Sequence, residues 1–320
     1  MLSRRGLSGM DAAGLIKPAA LRPGDRVAVV TPSGKVDPDR LAQGAAVLEE
    51  LGFRVSLPRP GRTHRYFAGP DEDRCRQLLE AFADPDVRAV WCARGGYGVA
   101  RILPQIDPAW MRLNAKLCIG FSDATALLQF LVCNAGVAAL HGPMVAHDLV
   151  AQREMGTIGH LLALAAGATD WRIPVPRTLV PGEASGRLLG GCLTVLASLA
   201  GTPFAPRFAG AVALFEDTNE RPLRRIDRML VQLRQAGMLE GVRGIVFGTM
   251  PDCGEPDDLC DTILDCLADL EVPIGFGAPV GHGSVHYGVP LGVEVRLRVG
   301  GGASTLTDEG ELCGVEPLVE

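Results

Sequence analysis

The sequence predicts an α/β protein of two domains, the first built on a parallel sheet and the second a smaller α+β or barrel-like unit. Three observations carry this. Apolar strands and amphipathic helices alternate from Arg26 to about residue 133, and that alternation makes neighbouring strands parallel. A proline-rich stretch, Arg172-Ile-Pro-Val-Pro-Arg-Thr-Leu-Val-Pro-Gly-Glu, then reads as an interdomain connection. Beyond it the rhythm changes to short glycine-rich strands interrupted by helices. A length of 320 residues exceeds what one core usually supports, and an apolar fraction of 47% is ample for two.

In chain order, the apolar run 26–30 reads as a strand and the helical pattern 37–51 as a helix. A strand at 53–57 and a helix at 71–82 follow, then strands at 89–92 and 116–120 and a helix at 123–133. A helical segment near 158–166 closes the first domain. After the connection, strands are expected at 184–189, 211–215, 244–247 and 293–297, and helices at 192–200, 221–235 and 258–270. The resulting division is a loose segment 1–20, a sheet domain 21–170, a linker 171–184 and a second domain 185–320.

Composition excludes several functions. A net charge of −6, with no Lys/Arg-rich run or basic-aromatic alternation, offers nothing to track a phosphate backbone, so no nucleic-acid partner is expected. The nine cysteines are dispersed, and the closest group, Cys253, Cys260 and Cys266, lacks a chelating spacing, so no metal is expected. An odd number of scattered thiols suits a reducing compartment. The N-terminus has two arginines but no following apolar h-region, and no window of membrane-spanning length is free of charge or Pro. The expectation is a cytoplasmic protein without membrane partners.

Chemistry concentrates in a few segments. In Lys116-Leu-Cys-Ile-Gly-Phe-Ser-Asp-Ala-Thr, an apolar strand ends at Ser122 and a helical pattern starts at once, the layout of a nucleophile elbow. The amide of Asp123 then points where an oxyanion would form. Ala124 stands where the full elbow pattern has Gly, and a serine in this place could instead cap the helix. Arg94-Gly-Gly-Tyr-Gly follows the preceding strand, and the Gly96 amide could supply a second oxyanion donor or the segment could be a tight turn. Both lie at carboxyl ends of parallel strands, where such sheets place their functional loops. Glu216 and Asp217 end a later strand, with Glu216 preferred because it continues the strand face. His282, between two glycines, lies on a loop suited to a catalytic base, with His286 in competition. His141 ends a strand and can line the same cleft, whereas His64, His147 and His160 read as surface or packing residues.

Together these segments resemble the LD-carboxypeptidase family, the serine peptidases that include murein tetrapeptide carboxypeptidase and the microcin-immunity peptidases. The likeness runs from about Leu21 through Leu21-Arg-Pro-Gly-Asp-Arg-Val-Ala-Val-Val-Thr-Pro-Ser, Ala83-Asp-Pro-Asp-Val-Arg-Ala-Val-Trp-Cys-Ala-Arg-Gly-Gly-Tyr-Gly and Ile119-Gly-Phe-Ser-Asp. It continues in His141-Gly-Pro, Gly201-Thr-Pro, Glu216-Asp with Ile226-Asp-Arg-Met-Leu, and Gly281-His with Pro290-Leu-Gly. The resemblance implies a Rossmann-like N-terminal domain carrying the nucleophile Ser122, and a smaller β-rich domain carrying the acid Glu216 and the base His282. It implies a homodimer, no cofactor, and release of a terminal D-amino acid, D-Ala, from muropeptide tetrapeptides in wall recycling. The alternatives are the same chemistry on peptidyl-nucleotide antibiotics, or a noncatalytic protein closing on a small anion. Two departures stand out: Cys192 where the family typically has Asn, and Leu223-Arg-Arg in place of an aromatic.

Overall fold

The computed structural model describes residues 14–59, 63–310 and 312–313; the first thirteen residues of the expected loose segment lie outside them. Among the described residues fourteen strands form two sheets. The first contains β1 (Arg26–Val30), β2 (Arg54–Ser56), β3 (Val87–Cys92), β4 (Leu117–Gly120) and β5 (Ala139–His141), joined by β12 (Val289–Leu291). Its order is β12-β5-β4-β3-β1-β2, with β1 to β5 parallel and β12 antiparallel to β5. The inner strands β3 and β4 are almost wholly buried, which is why β3 from Ala89 onward and all of β4 read as unbroken apolar runs rather than alternating ones. Helices Pro38–Glu50 and Asp71–Ala83 fall within a residue of the expected ranges. Asp37 caps the first by accepting the amides of Asp39 and Arg40, with Pro38 at the first helical position.

The second sheet has eight strands: β6 (Arg172–Pro174), β7 (Arg177–Val180), β8 (Gly182–Cys192), β9 (Ala211–Glu216), β10 (Gly244–Phe247), β11 (Ile274–Phe276), β13 (Glu294–Val299) and β14 (Thr305–Asp308). Its order is β6-β14-β13-β8-β9-β10-β11-β7, and β8 to β11 run parallel at its centre.

Two expectations need revision. Residues 171–184 are not a free linker: they form β6 and β7, the two outer strands of the second sheet, and the start of β8. Pro174 is compatible with this because an outer strand has one side whose amides need no ladder partner, and Pro176 and Pro181 fall between the strands. The chain also returns to the first sheet at β12, so the sheets are interleaved in sequence.

Candidate active site

β4 ends at Gly120, Phe121 is extended, and Ser122 takes the left-handed backbone with φ of 58° before the 3-10 turn Ser122–Ala124 and the helix Thr125–Phe130. A positive φ at a non-glycine residue is a strained conformation that throws the side chain out of both strand and helix. The elbow closes with Ala124 rather than Gly because the space is made at the other end. A Cβ on Gly120 would lie 2.9 Å from the Ala124 methyl and 3.1 Å from Cys92. Ser122 does not hold a helix-cap position: Phe121 precedes the 3-10 turn and Ala124 precedes the helix, and Ser122 is itself the first residue of the turn.

The Gly95 turn after β3 packs directly on this serine. A Cβ built on Gly95 would come within 2.7 Å of Ser122 Oγ and 3.3 Å of the Asp123 amide nitrogen. The carboxylate of Asp123 reaches back to accept the Val99 amide at 3.0 Å, tying elbow and turn together; burial raises its pKa. Gly95 O accepts the Gly34 amide at 3.1 Å, while Gly96, with φ of 106°, turns the chain towards the surface. Gly95→Ala, at a φ alanine can adopt, is therefore expected to displace the hydroxyl and slow turnover about 100-fold. The rate relative to wild type, with thermal unfolding as control, checks this; wild-type turnover would show that the hydroxyl is not where the chemistry happens.

Glu216 ends β9 with its side chain fully buried. Its Oε2 lies 2.6 Å from His282 Nδ1 and also accepts the His282 amide at 3.2 Å. Gly281, with φ of 100°, has to be glycine because a Cβ there would occupy the Glu216 carboxylate. The loop is pinned from below by Thr249, whose Oγ1 donates to Val280 O at 3.0 Å and accepts the Gly283 amide at 2.9 Å. Burial disfavours the Glu216 anion, yet the imidazoles of His282 and His141 hold its carboxyl well below the ordinary range. Burial likewise works against a charged His282, but the Glu216 carboxylate outweighs it and raises the imidazole. A carboxylate on Nδ1 fixes that nitrogen as the donor and leaves Nε2 as the basic atom.

The structure thus brings Glu216 and His282 into contact and sets them beside the elbow. The Phe121 ring, one residue before Ser122, packs on the His282 ring with centroids 4.8 Å apart. Among the described residues no hydrogen bond joins the Ser122 hydroxyl to His282, and enzymes often tighten such contacts only on binding substrate. Asp217 is occupied elsewhere, accepting Thr194 N, Thr194 Oγ1 and Thr218 N, each at 2.8 Å, and burial lifts its pKa to about 6. The Cys192 thiol, 3.7 Å from Asp217 and kept protonated by burial, stands beside it. His286 does not compete for the base position: it is buried, with its Nε2 3.4 Å from His141 Nδ1.

Next to the Gly95 turn opens a cavity of about 690 Å³ lined by Lys35, Arg65, Tyr66, Arg94, Gly96 and Tyr97. Arg94 is held by its hydrogen bond to Lys35 O at 2.7 Å, and among the described residues neither Lys35 nor Arg65 has a carboxylate partner. Reading by motif overlooked Lys35, Arg65 and Tyr66. The available signal was topological, since they sit on the loops after β1 and β2, at the carboxyl ends of parallel strands. Among the described residues no cluster of His, Cys, Asp or Glu could hold a metal ion, and no helix is long and apolar enough to cross a membrane.

Comparison with known proteins agrees with this architecture. Residues 27–142 match the LD-carboxypeptidase N-terminal domain and residues 185–297 its C-terminal domain. A Streptomyces coelicolor protein provisionally named a carboxypeptidase is 40% identical, over 93% of this chain and 98% of its own. The murein tetrapeptide carboxypeptidase of Pseudomonas aeruginosa is 35% identical over 85% of this chain and 93% of its own. The crystal structure of muramoyltetrapeptide carboxypeptidase from Oxalobacter formigenes superposes with a TM-score of 0.78 at 29% identity, covering 91% of this chain and 99% of that one.

Proposed function

The chain belongs to the LD-carboxypeptidase family and is a peptidase of that family, and we propose that it is a serine carboxypeptidase releasing a C-terminal D-amino acid, D-Ala from murein tetrapeptides. The observation that carries the serine reading is the 2.6 Å contact of Glu216 with His282, on a ring packed against the elbow that presents Ser122.

In the proposed mechanism His282 Nε2 takes the proton of Ser122 Oγ as the oxygen attacks the scissile carbonyl. Glu216 keeps the proton on Nδ1 and stabilises the imidazolium that forms. The amides of Asp123 and Gly96 receive the oxyanion. Collapse of the tetrahedral adduct sends the His282 proton to the leaving D-amino acid and leaves an acyl-serine. Water repeats the cycle with His282 as base, restoring the hydroxyl.

The cationic cavity beside Gly96 is the proposed seat of the peptide, whose carboxylates would meet Lys35 and Arg65. Arg65→Gln and Lys35→Gln are each expected to raise KM about three- to tenfold with little change in kcat, as for partly exposed charge contacts. An unchanged KM in both would move the peptide elsewhere. Tyr66 and Tyr97, with ring centroids 6.3 Å apart at the cavity mouth, also offer faces on which a nucleobase could stack. That favours, as a second reading, peptidyl-nucleotide substrates.

Mass spectrometry of products from a tetrapeptide, a pentapeptide and an aminoacyl-sulfamoyl adenylate tests the proposal. Free D-Ala from the tetrapeptide supports it, cleavage of the adenylate alone supports the second reading, and no cleavage of any overturns both. A cytoplasmic homodimer acting in wall recycling completes the proposal, with sedimentation equilibrium as the test of the dimer.

A further inference from the structure

Behind Glu216 lies a row of buried imidazoles that the proposed mechanism does not use. His141, fully buried at the end of β5, places Nε2 3.6 Å from Glu216 Oε1. Both atoms are buried without a hydrogen-bond partner, and among the buried side-chain nitrogen and oxygen atoms of the described residues only Ser33 Oγ and Asn134 Oδ1 share that state. Two buried polar atoms left unpaired while facing each other form a contact waiting to close, because each carries a desolvation cost that the other can relieve. At 3.6 Å the contact is too long for a hydrogen bond.

The protons in the row can be placed by elimination. An ionised carboxylate only accepts, so a contact between His141 and Glu216 needs the proton on His141 Nε2. With the His141 ring carrying that single proton, its Nδ1 is the acceptor and the atom 3.4 Å from it, His286 Nε2, is the N–H. His286 is neutral, since burial, with His141 alongside, keeps its pKa well below the usual imidazole value. Its backbone amide donates to Gln152 Oε1 at 2.9 Å, and the Gln152 amide nitrogen donates to Ser284 O at 3.0 Å, so the residue is anchored. Phe121 packs on all three rings, with centroids 4.8 Å from His282, 4.5 Å from His286 and 5.8 Å from His141. The residue that presents Ser122 therefore also touches the row behind the acid.

We propose that His141 is a positioning residue of the catalytic triad: its Nε2–H closes on Glu216 Oε1 when substrate is bound, holding the carboxylate plane so that Oε2 stays aligned on His282, while His286 fixes the His141 tautomer. The proposal rests on the serine peptidase reading above. His141 exchanges no proton in the cycle and touches no substrate. Its effect on His282 is electrostatic: a donor on Oε1 draws part of the carboxylate charge away from the imidazolium. The other charged or titratable groups facing His282 are Asp217, Asp148 and His286.

The test compares wild type, His141→Phe and His141→Gln in the full chain. It measures the rate of fluorophosphonate labelling at Ser122 and, on a tetrapeptide ending in D-Ala, the pH profile of kcat, which reports the substrate-bound enzyme. His141→Phe is expected to lower kcat and the labelling rate about 10- to 100-fold with KM within about twofold. Its acid limb should move to higher pH, because the undivided Glu216 charge holds the His282 proton more tightly. His141→Gln, whose amide N–H reaches the same oxygen, should recover most of the rate and the wild-type profile. Wild-type labelling and turnover in His141→Phe would overturn the proposal, as would two slow variants with an unshifted pH profile. If His141→Phe does not fold, His141→Asn, whose shorter amide falls short of Oε1, takes its place with the same expectations. A wild-type protein unlabelled at Ser122 would overturn the serine reading itself, a result distinct from a labelled wild type indifferent to His141.

Discussion

Ser122→Ala is expected to remove turnover by roughly a million-fold, the scale seen when a serine hydrolase loses its nucleophile, with almost no loss of stability. The side chain supports nothing structural: it caps neither the 3-10 turn nor the helix that follows. A serine acting as an N-cap would instead cost about 1 kcal/mol on removal and leave chemistry untouched. Backbone conformation supplies a second check. Ser122 sits at φ of 58°, which costs an L-residue about 1–2 kcal/mol, so Ser122→Gly should be equally inactive yet no less stable than Ser122→Ala. Measuring kcat/KM and thermal unfolding for both variants separates the roles. An active but destabilised Ser122→Ala would end the nucleophile assignment.

Glu216→Gln is expected to lower kcat about ten-thousand-fold with substrate affinity nearly unchanged, since an amide can neither fix the His282 tautomer nor stabilise its cation. The pH profile should move in a set direction. Glu216 raises His282, so its removal lowers the imidazole pKa and carries the acid limb of the residual activity to lower pH. That is opposite in sign to the shift expected for His141→Phe. Asp217→Asn should be much milder in turnover, because Asp217 holds Thr194 and Thr218 and makes no contact with His282 among those described. Reversal of the two effects, with Asp217→Asn the slower enzyme, would reassign the acid.

Much of the fold was legible because the signals were local. Inner strands of a parallel sheet read as short apolar runs, and β1 and β10 begin and end where their runs do. The Pro-rich stretch was misread because proline argues against a central strand, whereas β6 and β7 take the outer positions that tolerate it. β12 escaped for a related reason: three residues around Pro290, inside a glycine-rich loop, pair with β5 only through a long-range return of the chain.

The site divides the same way. Ser122, Glu216 and His282 each sit at a strand end or a glycine-flanked loop, and those local patterns can be read in sequence. Preference for Glu216 over Asp217 rested on which residue continues the strand face, and in the fold it is Glu216 that lies against His282. The turn from Arg94 to Gly98 was read for the Gly96 amide, but the closest approach to the serine belongs to Gly95, a matter of tertiary distance. His141 and His286 lie 145 residues apart in the chain, and nothing short of the fold could pair them behind Glu216.

The central claim is that Ser122 is a nucleophile activated by His282 and Glu216, and adduct mapping tests it most directly. The full chain would be treated with a fluorophosphonate, digested, and the modified residue located by tandem mass spectrometry. The arrangement predicts one adduct, on Ser122, absent from Ser122→Ala and strongly slowed in Glu216→Gln. An unmodified Ser122 in a protein that still hydrolyses a murein tetrapeptide, or an adduct on another serine, would contradict it.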